Sequence, residues 1–199
     1  EGLNEPSGLA LAHDKSALWT VSDDTAKIFK IDLAGTLQQH ETIDMPDAGL
    51  EGIALDATGT FLYAVNEDAN EILKVDLRTR QITLQKQLSA LAGYHSVAEY
   101  FDASPPNKGL EGITWCSDTG TLFVTKEGVP GMLIEVSAEL DTLLHHVILG
   151  EENGFIDDDV GEDQLDFSGI CYDSGRKQFW IVSDKGQRVF LYERQQDSV

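Results

Sequence analysis

An all-β propeller is the fold this chain predicts, on three observations. Four stretches share one register: a glycine, an apolar residue ten positions on, an aromatic beside it, and a carboxylate fifteen positions on. The glycines are Gly8, Gly52, Gly112 and Gly169, and the apolar partners are Leu18, Leu62, Leu122 and Phe179. The aromatics are Trp19, Tyr63, Phe123 and Trp180, and the acids are Asp23, Glu67, Glu127 and Asp184. Each stretch also divides into short β-rich runs separated by Gly, Asp and Asn turns. A repeat of about 40 residues with an aromatic in each second strand describes a propeller blade. A β-sandwich is the alternative, but it does not require the same residues at the same offset in every strand group.

The elements follow in order. Blade one spans about 5–44, with a third strand at Ile28–Leu33. Blade two, about 49–88, is the clearest copy. Gly52–Leu55 opens it, Asp56–Thr60 turns, Phe61–Val65 returns, Ile72–Leu77 alternates, and Ile82–Leu88 closes it. Blade three, about 109–149, has its third strand at Leu133–Ser137, one residue late because the Gly128–Gly131 turn is longer. Blade four, about 166–199, reaches Val189–Glu193, and Arg194–Val199 is too short and polar for an outer strand. Two inserts, 89–108 and 150–165, separate the later blades; the first carries a short helix around Val97–Phe101 before Pro105-Pro106. The whole of 1–199 reads as one domain. Its four visible blades are expected to belong to a ring of five, with six as the alternative, leaving a gap that faces blade one.

Composition narrows the partners. Lys and Arg number 14 against 35 Asp and Glu, a net charge of −21. Nucleic acid and anionic membrane are therefore poor direct partners, because both need cations against phosphate. A divalent cation fits better, as does a protein or small-molecule ligand at the channel mouth. No run approaches the roughly 18 apolar residues of a membrane span, so membrane contact is expected only through an anchor outside this segment. The chain opens on Glu1 rather than Met, as a processed or excised segment does. Cys116 and Cys171 occupy inequivalent repeat positions and read as buried small hydrophobes rather than a disulfide.

The first strand of a blade lines the central channel. The loop entering it and the loop between the second and third strands share one face. Just before the repeat glycines stand Ser7, Glu51, Glu111 and Ser168; at plus fifteen stand Asp23, Glu67, Glu127 and Asp184, with Asp24 and Asp68 adjoining. The second insert adds Glu151, Glu152, Asp157, Asp158, Asp159, Glu162 and Asp163, with Asp166 just after it. Two like charges ~4 Å apart repel by roughly 4 kcal/mol at an effective dielectric of about 20. Either some carboxyls hold protons or a cation sits among them. Hard oxygen donors without Cys or clustered His suit Ca²⁺ or Mg²⁺ rather than zinc. His145-His146 face opposite ways along one strand and make no joint site. The metal ligands predicted are Glu51, Glu111, Glu67, Glu127, Asp23 and Asp184, with Ca²⁺ as the ion. The bland alternative is that these acids cap loops or face water.

The chain resembles the SdiA-regulated, YjiK/CarP-type β-propellers. The matching residues are Glu5-Pro-Ser-Gly-Leu-Ala with Trp19-Thr-Val-Ser-Asp-Asp, and Leu50-Glu-Gly-Ile with Val65-Asn-Glu-Asp. They continue as Gly109-Leu-Glu-Gly-Ile-Thr with Lys126-Glu127 and Pro130, and as Asp166-Phe-Ser-Gly-Ile with Val182-Ser-Asp. The resemblance implies an extracytoplasmic bacterial propeller, periplasmic or anchored at the inner membrane. One branch is linked to calcium response, and some members are described as phytase-like. It also implies a further copy after residue 199. Glu-Gly at the start of a propeller strand is similar to the metal-dependent lactonases of the SMP-30 type, where that Glu binds metal, so Glu51 and Glu111 would inherit the role.

Three functions remain in play. The first is a cation-binding or calcium-responsive propeller without catalysis, since no nucleophile–base pair is evident. The second is a Ca²⁺-dependent hydrolase of a phosphoester or lactone through metal-activated water; phosphate chemistry would draw on Lys108, Lys126, Lys185 and Arg188. The third is a protein-interaction platform. Fold alone does not choose among them.

Overall fold

Short runs of alternating apolar residues, each closed by a turn, leave antiparallel pairing between neighbours as the simplest way to satisfy the backbone. The computed structural model describes residues 2–102, 108–156 and 165–194 and consists of four such sheets. The first holds β1 (Pro6–Leu11), β2 (Ala17–Ser22), β3 (Thr25–Asp32) and β4 (Ile43–Asp44). The second holds β5 (Leu50–Leu55), β6 (Phe61–Asn66), β7 (Glu71–Asp76) and β8 (Gln81–Gln87). The third holds β9 (Leu110–Cys116), β10 (Thr121–Lys126), β11 (Met132–Val136) and β12 (Leu143–Ile148). The fourth holds β13 (Gly169–Asp173), β14 (Gln178–Ser183) and β15 (Arg188–Glu193). Strands run in sequence order within each sheet, so each repeat is one blade of a four-blade array. The expected helix is present as α1 (Ala98–Asp102). Pro105-Pro106 and the acids at 157–163 lie outside the described residues. No helix among the described residues is long and apolar enough to cross a membrane.

The blades are held face to face by apolar clusters, one per junction. Trp19, Val21 and Ile28 of the first blade meet Ile53, Leu62 and Leu73 of the second. Tyr63, Val65 and Ile72 then meet Ile113, Val124 and Ile134, with Tyr63 stacked on Trp115 at 6.0 Å. Phe123 meets Phe179 at 4.5 Å between the third and fourth blades.

The repeat glycines sit where the inner strands converge. A Cβ on Gly8 would lie 2.6 Å from the Glu51 carbonyl oxygen, and one on Gly52 would lie 2.6 Å from that of Glu111. A Cβ on Gly112 would meet Thr125 Oγ1 at 2.6 Å and the Gly169 Cα at 3.1 Å. Gly169 itself meets nothing nearer than Val182 at 3.9 Å. The register also slips by one residue beside the first three glycines, between Pro6 and Leu9, between Leu50 and Ile53, and opposite the step from Val124 to Lys126. Such bulges re-aim the side chains they carry; here they carry Ser7, Glu51 and Glu111.

The fourth blade has three strands among the described residues, as expected. The first blade takes its outer strand from its own repeat, with no strand exchanged between the ends of the chain among the described residues. Trp180 is 40% exposed, whereas its equivalents Trp19, Tyr63 and Phe123 are buried beneath the next blade. Val182, Val189 and Leu191 share that open face with Trp180, and Leu9 and Leu11 are exposed on the first blade. The two cysteines are free, but only Cys116 is buried. Cys171 is exposed, contrary to expectation, because it pairs across from Trp180 on a face that no further sheet among the described residues covers.

Candidate metal centre

Among the described residues, the acids at the two ends of the blades do different things. At the end away from the mouth, aspartates close turns by accepting backbone N–H groups. Asp56 Oδ1 accepts from Thr60 and Phe61, each at 2.8 Å, Asp32 from Ala34 and Thr36, and Asp76 from Arg78 and Thr79. Hydrogen bonds hold Asp32, Asp76, Asp141 and Asp173 below the ordinary carboxylate range. For these residues the capping alternative is correct.

The mouth carboxylates behave in the opposite way. Glu51 and Glu111 project from the bulges in β5 and β9, and Glu67 and Glu127 follow directly on β6 and β10. The segments entering the inner strands brace the latter pair. Glu67 N–H donates to the Gly49 carbonyl at 3.1 Å, and Glu127 N–H to that of Gly109 at 2.9 Å. Carboxylate oxygens of Glu67, Glu111 and Glu127 lie within 4.8 Å of one another. Burial, then the charges of Glu51, Glu67 and Glu127, push Glu111 up to about 9. Burial also raises Glu51, against a hydrogen bond from Ser7 and with help from Asp23 and Glu67. Glu67 is raised by burial, against the Gly109 N–H it accepts at 3.3 Å.

Five of the six predicted ligands are thus linked, but not as a single shell. Glu67, Glu111 and Glu127 form the compact group, and Glu51 adjoins it. Asp23 bridges from Glu51 to a second, exposed group with Glu5 and Asp24. Asp184 is exposed and joins neither group. In that copy the buried carboxylate is Asp166, which accepts from Ser183 Oγ at 2.9 Å and Lys185 N–H at 2.8 Å and so fixes the β14–β15 turn. The cavity where the inner strands converge takes its polar lining from Ser7, Glu51, Glu111 and Ser168 beside the four glycines, and its apolar lining includes Leu9, Trp180 and Val182.

Two lysines complete the site in roles that sequence reasoning missed. Lys108 Nζ lies 2.5 Å from Glu127 Oε1. Burial works to lower the Lys108 pKa, but the bond to Glu127 and the nearby acids raise it. Lys126 is fully buried and donates to the carbonyls of Glu127 at 3.0 Å and Pro130 at 3.3 Å, with its ammonium 5.6 Å from the Phe101 ring. Burial brings it down to about 8. The signal available in the sequence was their adjacency to the Gly109-Leu-Glu-Gly and Glu127 motifs. The group can therefore hold protons, an internal ammonium, or a hard cation.

Known proteins agree with this fold. The chain is similar to the structure of U3-55K (TM-score 0.56, 11% identity, 98% of this chain and 54% of that one). It is similar to a protein in a nidogen/laminin complex (TM-score 0.61, 18% identity, 94% and 60%) and to the RRP9 WD40 repeats (TM-score 0.56, 10% identity, 97% and 52%). The chain spans about half to three-fifths of the length of these structures, and at such identities the likeness concerns the fold alone. A family model described as SdiA-regulated matches residues 1–199.

Proposed function

Because the chain belongs to the SdiA-regulated family, we propose that it is an extracytoplasmic bacterial propeller that binds a divalent cation, calcium, at its channel mouth. The observation that carries this reading is the group of Glu67, Glu111 and Glu127 within 4.8 Å, with Glu111 pushed up to about 9. Such a carboxyl keeps its proton at neutral pH because burial, and after it the charges of Glu51, Glu67 and Glu127, disfavours the ionised form. A divalent cation relieves the same repulsion more completely and is met by oxygen donors alone, the chemistry that hard cations favour. Its chemical contribution is charge neutralisation at the axis. Lys108 and Lys126 are turned toward Glu127 and nearby carbonyls, which supports binding over hydrolysis of a phosphoester. The extracytoplasmic placement rests on the family resemblance.

A ligand bound only by the folded form at about 100 times its dissociation constant adds about 2.7 kcal/mol. The protein should melt several degrees higher in millimolar Ca²⁺ than in chelator. Calorimetry in buffers of different ionisation enthalpy should show proton release on binding, and Glu111→Gln should abolish that release. An unchanged melting temperature with no heat of binding would leave the interaction platform as the better function.

A further inference from the structure

Lys108 stands where a soluble cation would be expected to act. Its ammonium contacts Glu127, its side chain is 29% exposed, and Glu127 is 8% exposed. Glu127, Glu67 and Glu111, the same three residues that form the compact group, are the acids acting on it. The position is built into the fold. A Cβ on Gly128 would lie 2.9 Å from Lys108 Cβ and 3.2 Å from Cδ, so the lysine stem lies flat against a backbone that only glycine leaves open. Lys126 plays a different part: it is buried, bonds carbonyls rather than carboxylates, and is fixed.

We propose that Lys108 is a tethered competitor for the cation site, holding Glu127 until a divalent cation takes its place. The inference rests on the cation-binding reading above and adds its regulation. The neighbouring residue matters as well, because Gly109 N–H is held by Glu67 Oε1 at 3.3 Å. A cation drawing in both Glu67 and Glu127 would loosen two holds on residues 108–109, the point where the insert carrying α1 rejoins the third blade. Cation affinity and anchoring of the insert are then linked, and linkage is reciprocal.

The test measures Ca²⁺ affinity by calorimetry for the whole chain as wild type, Lys108→Met and Lys108→Arg. Lys108→Met should bind roughly five- to tenfold tighter, since a charge-assisted bond no longer has to be broken. Lys108→Arg keeps the charge but holds a carboxylate through a planar fork, so it should bind no tighter than wild type. In wild type, the hydrogen-bonded Lys108 ammonium signal in nitrogen-detected NMR should be lost on adding Ca²⁺. Binding by Lys108→Met but not by wild type would support the proposal in its strongest form. Equal or weaker binding by Lys108→Met, with wild type still binding, would overturn it and leave the cation site standing. No binding by either would remove both. Should Lys108→Met fold poorly, Lys108→Gln serves as the neutral variant.

Discussion

Gly52→Ala is expected to cost about 3 kcal/mol of stability, while Gly169→Ala costs less than about 0.5 kcal/mol. The two glycines hold the same repeat position and differ only in what lies against them. A methyl on Gly52 would meet the Glu111 carbonyl oxygen at 2.6 Å and the Ile113 nitrogen at 2.8 Å, both backbone atoms that cannot swing aside. The inner strands of the second and third blades would have to separate, opening the Tyr63–Trp115 junction. At Gly169 the nearest atom is 3.9 Å away, so the added methyl finds room and the unfolded chain loses a little freedom. For a chain of this size each kcal/mol moves the melting point by about 2–4 °C. Thermal unfolding should therefore separate the variants by about 5–12 °C. Equal losses at the two positions would mean that the glycines mark the repeat without holding its axis.

In chelator, thermal stability should fall as pH rises from 5 to 8, and Glu111→Gln should remove most of that slope. His146, lowered by burial, offsets a little of it, and above about 8 the buried Lys126, brought down to about 8, works the other way. The Glu111 carboxyl has an ordinary value of 4.5 and is pushed up to about 9 in the fold. Between those values the folded protein holds a proton that the unfolded chain has released. The stability this contributes is fully present below pH 4.5 and is lost as pH rises through about 9. Glu51 and Glu67, also raised, add in the same direction. The turn aspartates Asp32, Asp76, Asp141 and Asp173 are lowered, so their contribution is lost only in acid, outside this window. Calcium should flatten the profile and bind more tightly at high pH, where no proton competes. Scanning calorimetry across the range would decide it; a flat profile shared by wild type and Glu111→Gln would show that the mouth carboxyls do not titrate together.

Blade number, strand order and the face that carries the acids were legible because a repeat averages over copies. Gly52, Leu62, Tyr63 and Glu67 recur as a set, and a propeller has one place for each. The repeat also separates Glu67 from Asp56, two acids of one blade: the first closes the β6–β7 turn at the mouth, the second the β5–β6 turn at the far end. What stayed hidden depends on departures from the repeat. Asp184 keeps its register but not its partners, because Asp166 takes over the β14–β15 turn. The Lys108–Glu127 contact joins an insert to a blade across 19 positions, and no periodic signal reports where an insert returns. Cys171 lies in an ordinary first strand, and its exposure follows from the missing cover over Trp180 rather than from its own neighbours.

That uncovered face has a colloidal consequence. Trp180, Val182, Val189 and Leu191 form an adhesive patch on a particle whose net charge is −21. At low ionic strength mutual repulsion reaches well beyond the patch and keeps copies dispersed. At about 0.15 M salt the screening length shrinks to roughly 8 Å, and at 1 M to roughly 3 Å, so the same patches can meet. Light scattering should show attraction growing with added salt, and Trp180→Glu should weaken it. Storage of this chain then favours dilute buffer, against the usual habit of adding salt to keep a protein in solution.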